Sequence, residues 1–237
     1  MQSRDTPVRP QLFEPLSIER QRTALTRKLA ATIAMVACTV LSLTAPAAYA
    51  EDDDRGERLF DLCKQCHGPA GEGMALSLAP AIAGLDLWYV ELQLTKFKQG
   101  VRGLHADDLG GLRMYPMSQW LRSEEDITAV STYVSSLPKT SPHSTIEGGD
   151  AKAGAVAYTL CATCHGEKGE GNQVMNGPPL AGMNDWYLMT TLQKFKDGVR
   201  GGNSANPTAM MMRGMAMSLT DEQAVKNVVA HIMTLNN

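Results

Sequence analysis

Residues 63–67 read Cys-Lys-Gln-Cys-His, and residues 161–165 read Cys-Ala-Thr-Cys-His. This motif is the attachment signal for c-type haem, in which two thiols add to the porphyrin vinyl groups and the adjacent histidine binds the iron. One copy alone would also fit a thioredoxin-like redox motif. Each copy here is followed by glycine and then by Gly-Glu-Gly, at residues 71–73 and 169–171. We therefore predict two covalently bound haems c.

The predicted attachment residues fall into two equivalent sets. They are Cys63, Cys66 and His67 in the first copy, and Cys161, Cys164 and His165 in the second. A zinc ion held by the four cysteines is the competing metal site. It would leave both histidines without a role, so we prefer haem.

The chain repeats itself without a gap at an offset of 98 residues, the distance from Cys63 to Cys161. Trp88-Tyr89 aligns with Trp186-Tyr187, and the Gly-Val-Arg-Gly of residues 100–103 recurs at 198–201. This period is far longer than that of a stacked repeat array, so it indicates duplication of a domain.

The repeat sets the predicted domain boundaries. We expect one domain over residues 54–137 and a second over 151–237, joined by a linker at 138–150 that is rich in Pro, Ser, Thr and Gly. Each domain has roughly 85 residues, near the lower limit for an independent hydrophobic core. Covalent haem would supply the missing apolar filling.

Apolar residues recur at helical spacing in both copies, and no segment alternates as a strand does. Asp86 is the predicted N-cap of a helix that ends near Gly100, and Ser123 is predicted to open the last helix of the first copy. Residues 220–223 read Thr-Asp-Glu-Gln, which predicts a capping box for the last helix of the second copy. The fold class predicted is all-α, with two tandem domains.

A low-spin haem needs a second axial ligand, and a methionine thioether is the usual one. In the first copy the candidates are Met114 and Met117. Pro116 precedes Met117, and we expect it to stiffen an extended loop that presents the thioether to the ring. We predict Met117 as the ligand.

In the second copy the equivalent segment contains five methionines, Met210, Met211, Met212, Met215 and Met217. The gapless register aligns Met117 with Met215, which we therefore predict as the ligand. Gly214 stands where Pro116 would be expected, so this segment is less constrained and Met217 remains an alternative.

The N-terminal region has the pattern of a secretory signal peptide. Residues 29–50 contain no charged side chain, follow a basic run, and end in Ala-Tyr-Ala before four acidic residues at 51–54. We predict that residues 1–50 are a signal peptide and that the mature protein is periplasmic. If it is retained, the apolar stretch is long enough to anchor the chain in a membrane.

Charge narrows the choice of partners. The first 50 residues hold six of the 22 Lys and Arg and three of the 25 Asp and Glu, so the mature chain has 16 against 22, a net charge of −6. Such a chain has no reason to bind nucleic acid. A patch of Lys96, Lys98, Lys194 and Lys196 is a candidate docking face. For Arg102 and Arg200 both a haem propionate and a solvated surface position remain open.

The chain resembles the dihaem class I cytochromes c, in particular the cytochrome c4 group. The resemblance rests on the paired haem motifs, on the Phe-Lys-x-Gly-x-Arg-Gly of residues 97–103 with its copy at 195–201, and on Met-Tyr-Pro-Met at 114–117. It implies two small helical haem domains packed about a pseudo-twofold axis with their propionates facing each other. It also implies electron transfer to a haem–copper terminal oxidase.

Three functions follow for comparison. The first is an electron carrier, not an enzyme, which receives electrons from a dehydrogenase or cytochrome complex. The second is the cytochrome subunit of a periplasmic dehydrogenase with flavin- or quinoprotein-linked chemistry on another chain. The third, a dihaem peroxidase, requires a displaceable axial ligand, and the methionine candidates at both haems disfavour it.

Overall fold

The computed structural model describes residues 48–235, with side chains from Asp54 onward. The described chain contains two successive sets of four α-helices. The first set is α1 (Ala48–His67), α2 (Leu87–Lys98), α3 (Leu109–Gln119) and α4 (Glu124–Ser136), and the second is α5 (Ala151–His165), α6 (Asp185–Lys196), α7 (Pro207–Ala216) and α8 (Glu222–Thr234). A short 3-10 helix, Ala75–Ser77, follows α1.

The all-α prediction is confirmed. Between residues 48 and 235, extended pairing is limited to two isolated bridges, Met74 with Ala79 and Asn172 with Gly177. These bridges are themselves one repeat apart. The predicted signal peptide lies outside the described residues apart from its last three positions. Within the described part of the chain, no helix has the length and apolar character needed to cross a membrane.

In each copy the first and last helices cross in contact at a glycine. A Cβ on Gly56 of α1 would overlap the carbonyl oxygen of Ala129 in α4, and a Cβ on Gly154 of α5 would overlap that of Asn227 in α8. The missing side chain lets the two backbones approach closely. This crossing brings the start of α1, and of α5, against the helix that closes the same domain.

A pair of aromatic rings packs beside each of these glycine contacts. Phe60 lies 5.3 Å from Tyr133 between ring centroids, and the equivalent pair, Tyr158 and His231, is 5.0 Å apart. The buried valines, isoleucines and leucine around them are Leu121, Ile127, Val130 and Val134 in the first copy and Val225, Val228, Val229 and Ile232 in the second.

Of the three predicted helix caps, one forms as expected. Ser123 caps α4 in a reciprocal capping box with Asp126. The predicted box on residues 220–223 is wrong by one position, because Asp221 caps α8 by accepting from the Ala224 amide at 2.8 Å. Asp221 is the register partner of Ser123, so the repeat predicted this cap better than the local motif. Asp86 occupies the N-cap position of α2 without capping it.

The methionine segments are helices, which corrects the predicted extended loop. Pro116 lies inside α3, in its last turn, where its missing amide hydrogen releases only the carbonyl of Leu112. Asp108 starts α3 by accepting from the Gly111 amide at 3.0 Å. In the second copy Asn206 caps α7 and Pro207 occupies its first turn, a helix-start signal that was visible in the sequence.

The segment between the two predicted domains is attached to α6 by one buried carboxylate. Asp185 is fully buried and accepts from the Ile146 amide at 2.7 Å, the Thr145 hydroxyl at 2.9 Å and the Thr145 amide. Burial alone would raise the pKa of Asp185, but these hydrogen bonds outweigh it and lower the pKa below its usual value. The register partner of Asp185 is Leu87, so this attachment exists only in the second copy.

Candidate haem sites

The two motif histidines are buried and held in the same way. His67 at the end of α1 is 5% exposed, and His165 at the end of α5 is 6% exposed. Their Nδ1 atoms lie 2.8 Å from the carbonyl oxygen of Pro80 and 2.7 Å from that of Pro178. When Nδ1 donates to a carbonyl, Nε2 is left as the metal-binding nitrogen.

The surroundings keep both imidazoles in their metal-binding form. Burial lowers the pKa of His67 and of His165, and the bonds to the proline carbonyls oppose this shift only in part. A neutral imidazole is the species that binds a metal. The local structure therefore fits an axial role for both residues.

The thiols lie on the same helix ends. Cys63 is one helical turn before His67 and half-buried, whereas Cys66 is exposed. Burial raises the pKa of the Cys63 thiol to about 11. Burial likewise raises the pKa of Cys161 in the second copy. These thiols therefore lie in apolar surroundings. Such surroundings suit sulfur atoms that form thioether bonds to a porphyrin.

A cavity of about 310 Å³ joins these groups in the first copy. It is lined by Cys63, Cys66 and His67 and by both methionine candidates, Met114 and Met117. Apolar side chains make up most of the remaining wall. The donor set and the apolar lining fit a haem, while the choice between the two methionines stays a prediction.

The second copy presents the same elements. Cys161 and Cys164 are half-buried at the end of α5. Met215 lies on α7 with 36% of its surface exposed, and Met217, just beyond that helix, is 57% exposed. Met215 as the distal ligand likewise stays a prediction.

Two arginines lie where the copies meet, and neither is a solvated surface residue. Arg102 stacks 4.4 Å above the Phe97 ring, and its Nη2 donates to the Tyr187 hydroxyl at 3.1 Å. Its Nε is buried and has no hydrogen-bond partner among the described residues. Arg200 stacks in the same way on Phe195, at 4.5 Å.

This arginine pair creates a strongly positive interior. Burial would raise the pKa of Tyr187, but attraction to Arg102 and Arg200 outweighs it and lowers the pKa below its usual value. Asp108 lines the cavity but is already bonded to Lys194 at 2.7 Å. A half-buried cationic cluster with an unused buried donor fits additional anionic groups, and haem propionates are such groups.

The four lysines of the predicted docking patch all make hydrogen bonds within the protein. Lys96 crosses to the Thr208 hydroxyl at 3.1 Å, and Lys194 crosses to Asp108. Lys98 and Lys196 donate to the carbonyls of Leu121 and Leu219 within their own copies. All four are half-buried. The sequence pattern gave the positions of the four lysines but not their hydrogen-bond acceptors within the protein.

Comparison with known proteins decides the family. The family model for cytochrome c matches residues 54–138 and again residues 151–236. The chain belongs to the cytochrome c family. Each copy is a cytochrome c domain, and the cysteine pairs at 63/66 and 161/164 hold two covalently bound haems c.

Curated relatives of this dihaem cytochrome c have several roles. The chain is 30% identical to cytochrome c-552 of Acidithiobacillus ferridurans over 82% of this chain and 79% of that protein. It is 28% identical to the thiosulfate dehydrogenase electron acceptor of Stutzerimonas stutzeri, over 84% and 94%. It is 30% identical to the cbb3-type cytochrome c oxidase subunit FixP of Bradyrhizobium diazoefficiens, over 65% and 55%.

Solved structures agree with the fold. The chain is similar to Acidithiobacillus ferrooxidans cytochrome c4, with a TM-score of 0.58, 29% identity and coverage of 74% of this chain and 99% of that one. It is also similar to thiosulfate dehydrogenase (TsdBA) of Marichromatium purpuratum, with a TM-score of 0.63, 28% identity and coverage of 77% and 40%. The resemblance to cytochrome c4 is confirmed, and the protein is a dihaem electron-transfer cytochrome.

Proposed function

We propose that this cytochrome is a diffusible periplasmic carrier that delivers single electrons to a haem–copper terminal oxidase. The observation that carries the proposal is the first cavity, where a buried histidine and methionine candidates line the same space. Haem iron bound there supplies a reversible one-electron couple. With a histidine and a thioether as ligands, the iron would have no position left for a substrate.

The residues have separate roles in this proposal. His67 and His165 would supply the proximal nitrogen, and Met117 and Met215 would supply the distal sulfur. Soft thioether donors favour the reduced iron and raise its potential. The apolar cavity wall keeps water from the iron, and Arg102 and Arg200 compensate the propionate charge. Electron exchange with a partner would then need only a brief encounter and no bound substrate.

Export to the periplasm is supported by the signal-peptide pattern of residues 1–50. Delivery to an oxidase is supported by the similarity to cytochrome c4 and to an oxidase subunit. The second candidate is a dedicated cytochrome subunit of a periplasmic dehydrogenase. Its support is the similarity to a thiosulfate dehydrogenase electron acceptor.

Kinetics of the purified holoprotein separate the two candidates. A diffusible carrier should be oxidised quickly by a haem–copper oxidase, show negligible peroxidase turnover, and remain free of other chains in gel filtration. Because such encounters are small and steered by charge, the oxidation rate should fall as salt rises. Intact mass should equal that of the processed chain plus two haems.

Other outcomes would contradict the carrier. Copurification with a dehydrogenase in a complex that survives high salt would support the dedicated subunit. Peroxidase turnover would point to an open axial position. A mass increase of a single haem would exclude two electron-transfer centres.

A further inference from the structure

The peptide group that orients His67 is itself bonded to a side chain of the second copy. The His67 Nδ1 lies 2.8 Å from the Pro80 carbonyl oxygen. The amide hydrogen of the same peptide group belongs to Ala81 and is donated to Asn184 Oδ1 at 2.6 Å. A continuous chain of hydrogen bonds therefore runs from the first imidazole to Asn184. We propose that Asn184 is a positioning residue that sets the potential of the first haem from the second domain.

The proposal rests on His67 being an iron ligand, as proposed above, and on the polarisability of the amide. A peptide group that donates through its N–H becomes a better acceptor at its oxygen, because successive hydrogen bonds strengthen one another. A stronger acceptor at Pro80 draws the Nδ1 proton away from the His67 ring. The ring becomes a stronger electron donor, which stabilises ferric iron and lowers the potential.

The second copy cannot build this chain. The residue equivalent to Ala81 is Pro179, so the peptide group that accepts from His165 has no hydrogen to donate. The residue equivalent to Asn184 is Asp86, whose carboxylate accepts instead from Trp88 Nε1 within its own copy at 3.3 Å. Two domains with the same attachment motif thus differ one bond beyond the proximal histidine.

Space for the cross-domain bond is provided by Gly73. This residue has a φ of +87°, and a Cβ on it would lie 2.7 Å from Asn184 Oδ1, closer than side chains pack. Ala81 is 1% exposed, so water does not compete for its amide. The Asn184 Nδ2 also approaches the Glu72 carbonyl at 3.5 Å, which fixes the orientation of the side-chain amide.

The test is a spectroelectrochemical titration of the holoprotein carrying Asn184→Ala. One of the two midpoint potentials should rise and the other should stay unchanged, although the substitution is in the second domain. Asn184→Asp keeps an acceptor oxygen and should hold that midpoint at or below its original value. The matched control is Asp86→Ala, which should move neither midpoint by this route.

A double-mutant cycle tests the path itself. Ala81→Pro removes the amide hydrogen and reproduces the arrangement that the second copy already folds with. It should raise the same midpoint as Asn184→Ala, and the double variant should show no further rise. Additive shifts would overturn the proposal, because Asn184 would then act by another route.

Paramagnetic NMR of the ferric protein with ¹⁵N-labelled histidine separates failure of this inference from failure of the haem ligation. Two hyperfine-shifted axial imidazole Nδ1–H resonances are expected, and Asn184→Ala should move one of them. If both resonances are present and neither resonance nor midpoint responds, the role of Asn184 is refuted while the ligation stands. If fewer than two such resonances appear, the histidine ligation fails, and this inference fails with it.

Discussion

The imidazoles of His67 and His165 are each oriented by a carbonyl 13 residues further along the chain. In both cases the acceptor belongs to a proline, so its peptide group is held in a restricted loop conformation. A fixed acceptor fixes the ring plane and the tautomer. Local sequence therefore provides the first hydrogen bond of each predicted proximal histidine. The predicted distal methionines lie on a later helix of each copy, α3 or α7.

Substitution of the predicted distal ligands tests that side. Met117→His or Met215→His should abolish about half of the weak thioether-to-ferric absorption band at the red end of the spectrum. Each should also lower one potential, because imidazole donates more strongly than a thioether. Absorption spectra and redox titrations of the holoproteins measure both effects.

Neighbouring methionines are the controls. Met114→His and Met217→His should leave the band at full intensity. If Met217→His halves it and Met215→His does not, the register argument for the second copy is wrong. If Met114→His halves the band and Met117→His does not, Met114 is the ligand in the first copy.

At the residue scale, features that depend on short sequence spacing were predicted, and contacts between residues far apart in the sequence were missed. Cysteines and histidine within five residues must lie on one helix end, so the attachment sites were readable. Asn184 and Ala81 are 103 residues apart, and no local pattern links them. Arg102 was left open for the same reason, since its burial arises from the meeting of two copies.

The element that holds each domain together is the crossing of its first and last helices. Gly56 and Gly154 are register partners, and each lies against a carbonyl of the facing helix. A glycine inside a helix costs about 0.5–1 kcal/mol relative to alanine. That cost is offset by the close approach, which brings the valines of α4 and α8 onto the first helix.

Replacement of this glycine should be destabilising. Gly154→Ala should lower the free energy of unfolding by about 1–3 kcal/mol, because the added methyl overlaps the Asn227 carbonyl and forces the helices apart. Urea unfolding of the holoprotein, followed by far-ultraviolet circular dichroism, measures this change.

Gly214→Ala in α7 is the matched control. A Cβ at Gly214 would meet nothing within 4 Å, so this change should be neutral or stabilise by about 0.5–1 kcal/mol. Equal destabilisation by both variants would refute the crossing argument. Helical spacing predicted the last helix of each copy but gave no sign of which glycine of the first helix lies against it. Pro116 misled for a related reason, because a proline in a last helical turn reads locally as a loop.

At the scale of the whole molecule, duplication has produced an interface that is only partly symmetric. Lys194 and Lys96 are register partners, and both cross to the other copy. Lys194 meets the buried carboxylate of Asp108, whereas Lys96 meets the hydroxyl of Thr208. The partner of Asp108 in the register is the neutral Asn206. Among the described residues, one side of the interface thus has an ion pair, and the other has a cation bonded to a neutral hydroxyl.

Asp108→Asn should remove the carboxylate that pairs with Lys194 and leave the neutral side chain that Asn206 provides on the other side of the interface. The N-cap of α3 should survive, since Asn206 caps α7 through the same kind of bond. Loss of the partner of Lys194 should cost about 1–3 kcal/mol, less than for a fully buried pair, because the Lys194 side chain keeps 27% of its surface exposed. Urea unfolding of the holoprotein at neutral pH measures this loss.

The cost should also depend on pH. Burial would raise the pKa of Asp108, but the hydrogen bond and attraction to Lys194 outweigh it and hold the pKa below its usual 3.8. A lowered carboxyl pKa stabilises the fold fully above about pH 5 and progressively less as pH falls through the folded-state pKa. The stability difference between wild type and Asp108→Asn should therefore shrink in acid.

The reciprocal variant, Asn206→Asp, is the decisive comparison. Burial, together with repulsion from Arg102 and Arg200, lowers the pKa of Lys96, so a carboxylate beside Lys96 should relieve that repulsion. We expect this variant to be at least as stable as the wild type at neutral pH, and to lose its gain in acid as the new carboxylate protonates. If Asn206→Asp instead destabilises as much as Asp108→Asn, the two sides of the interface are not electrostatic counterparts.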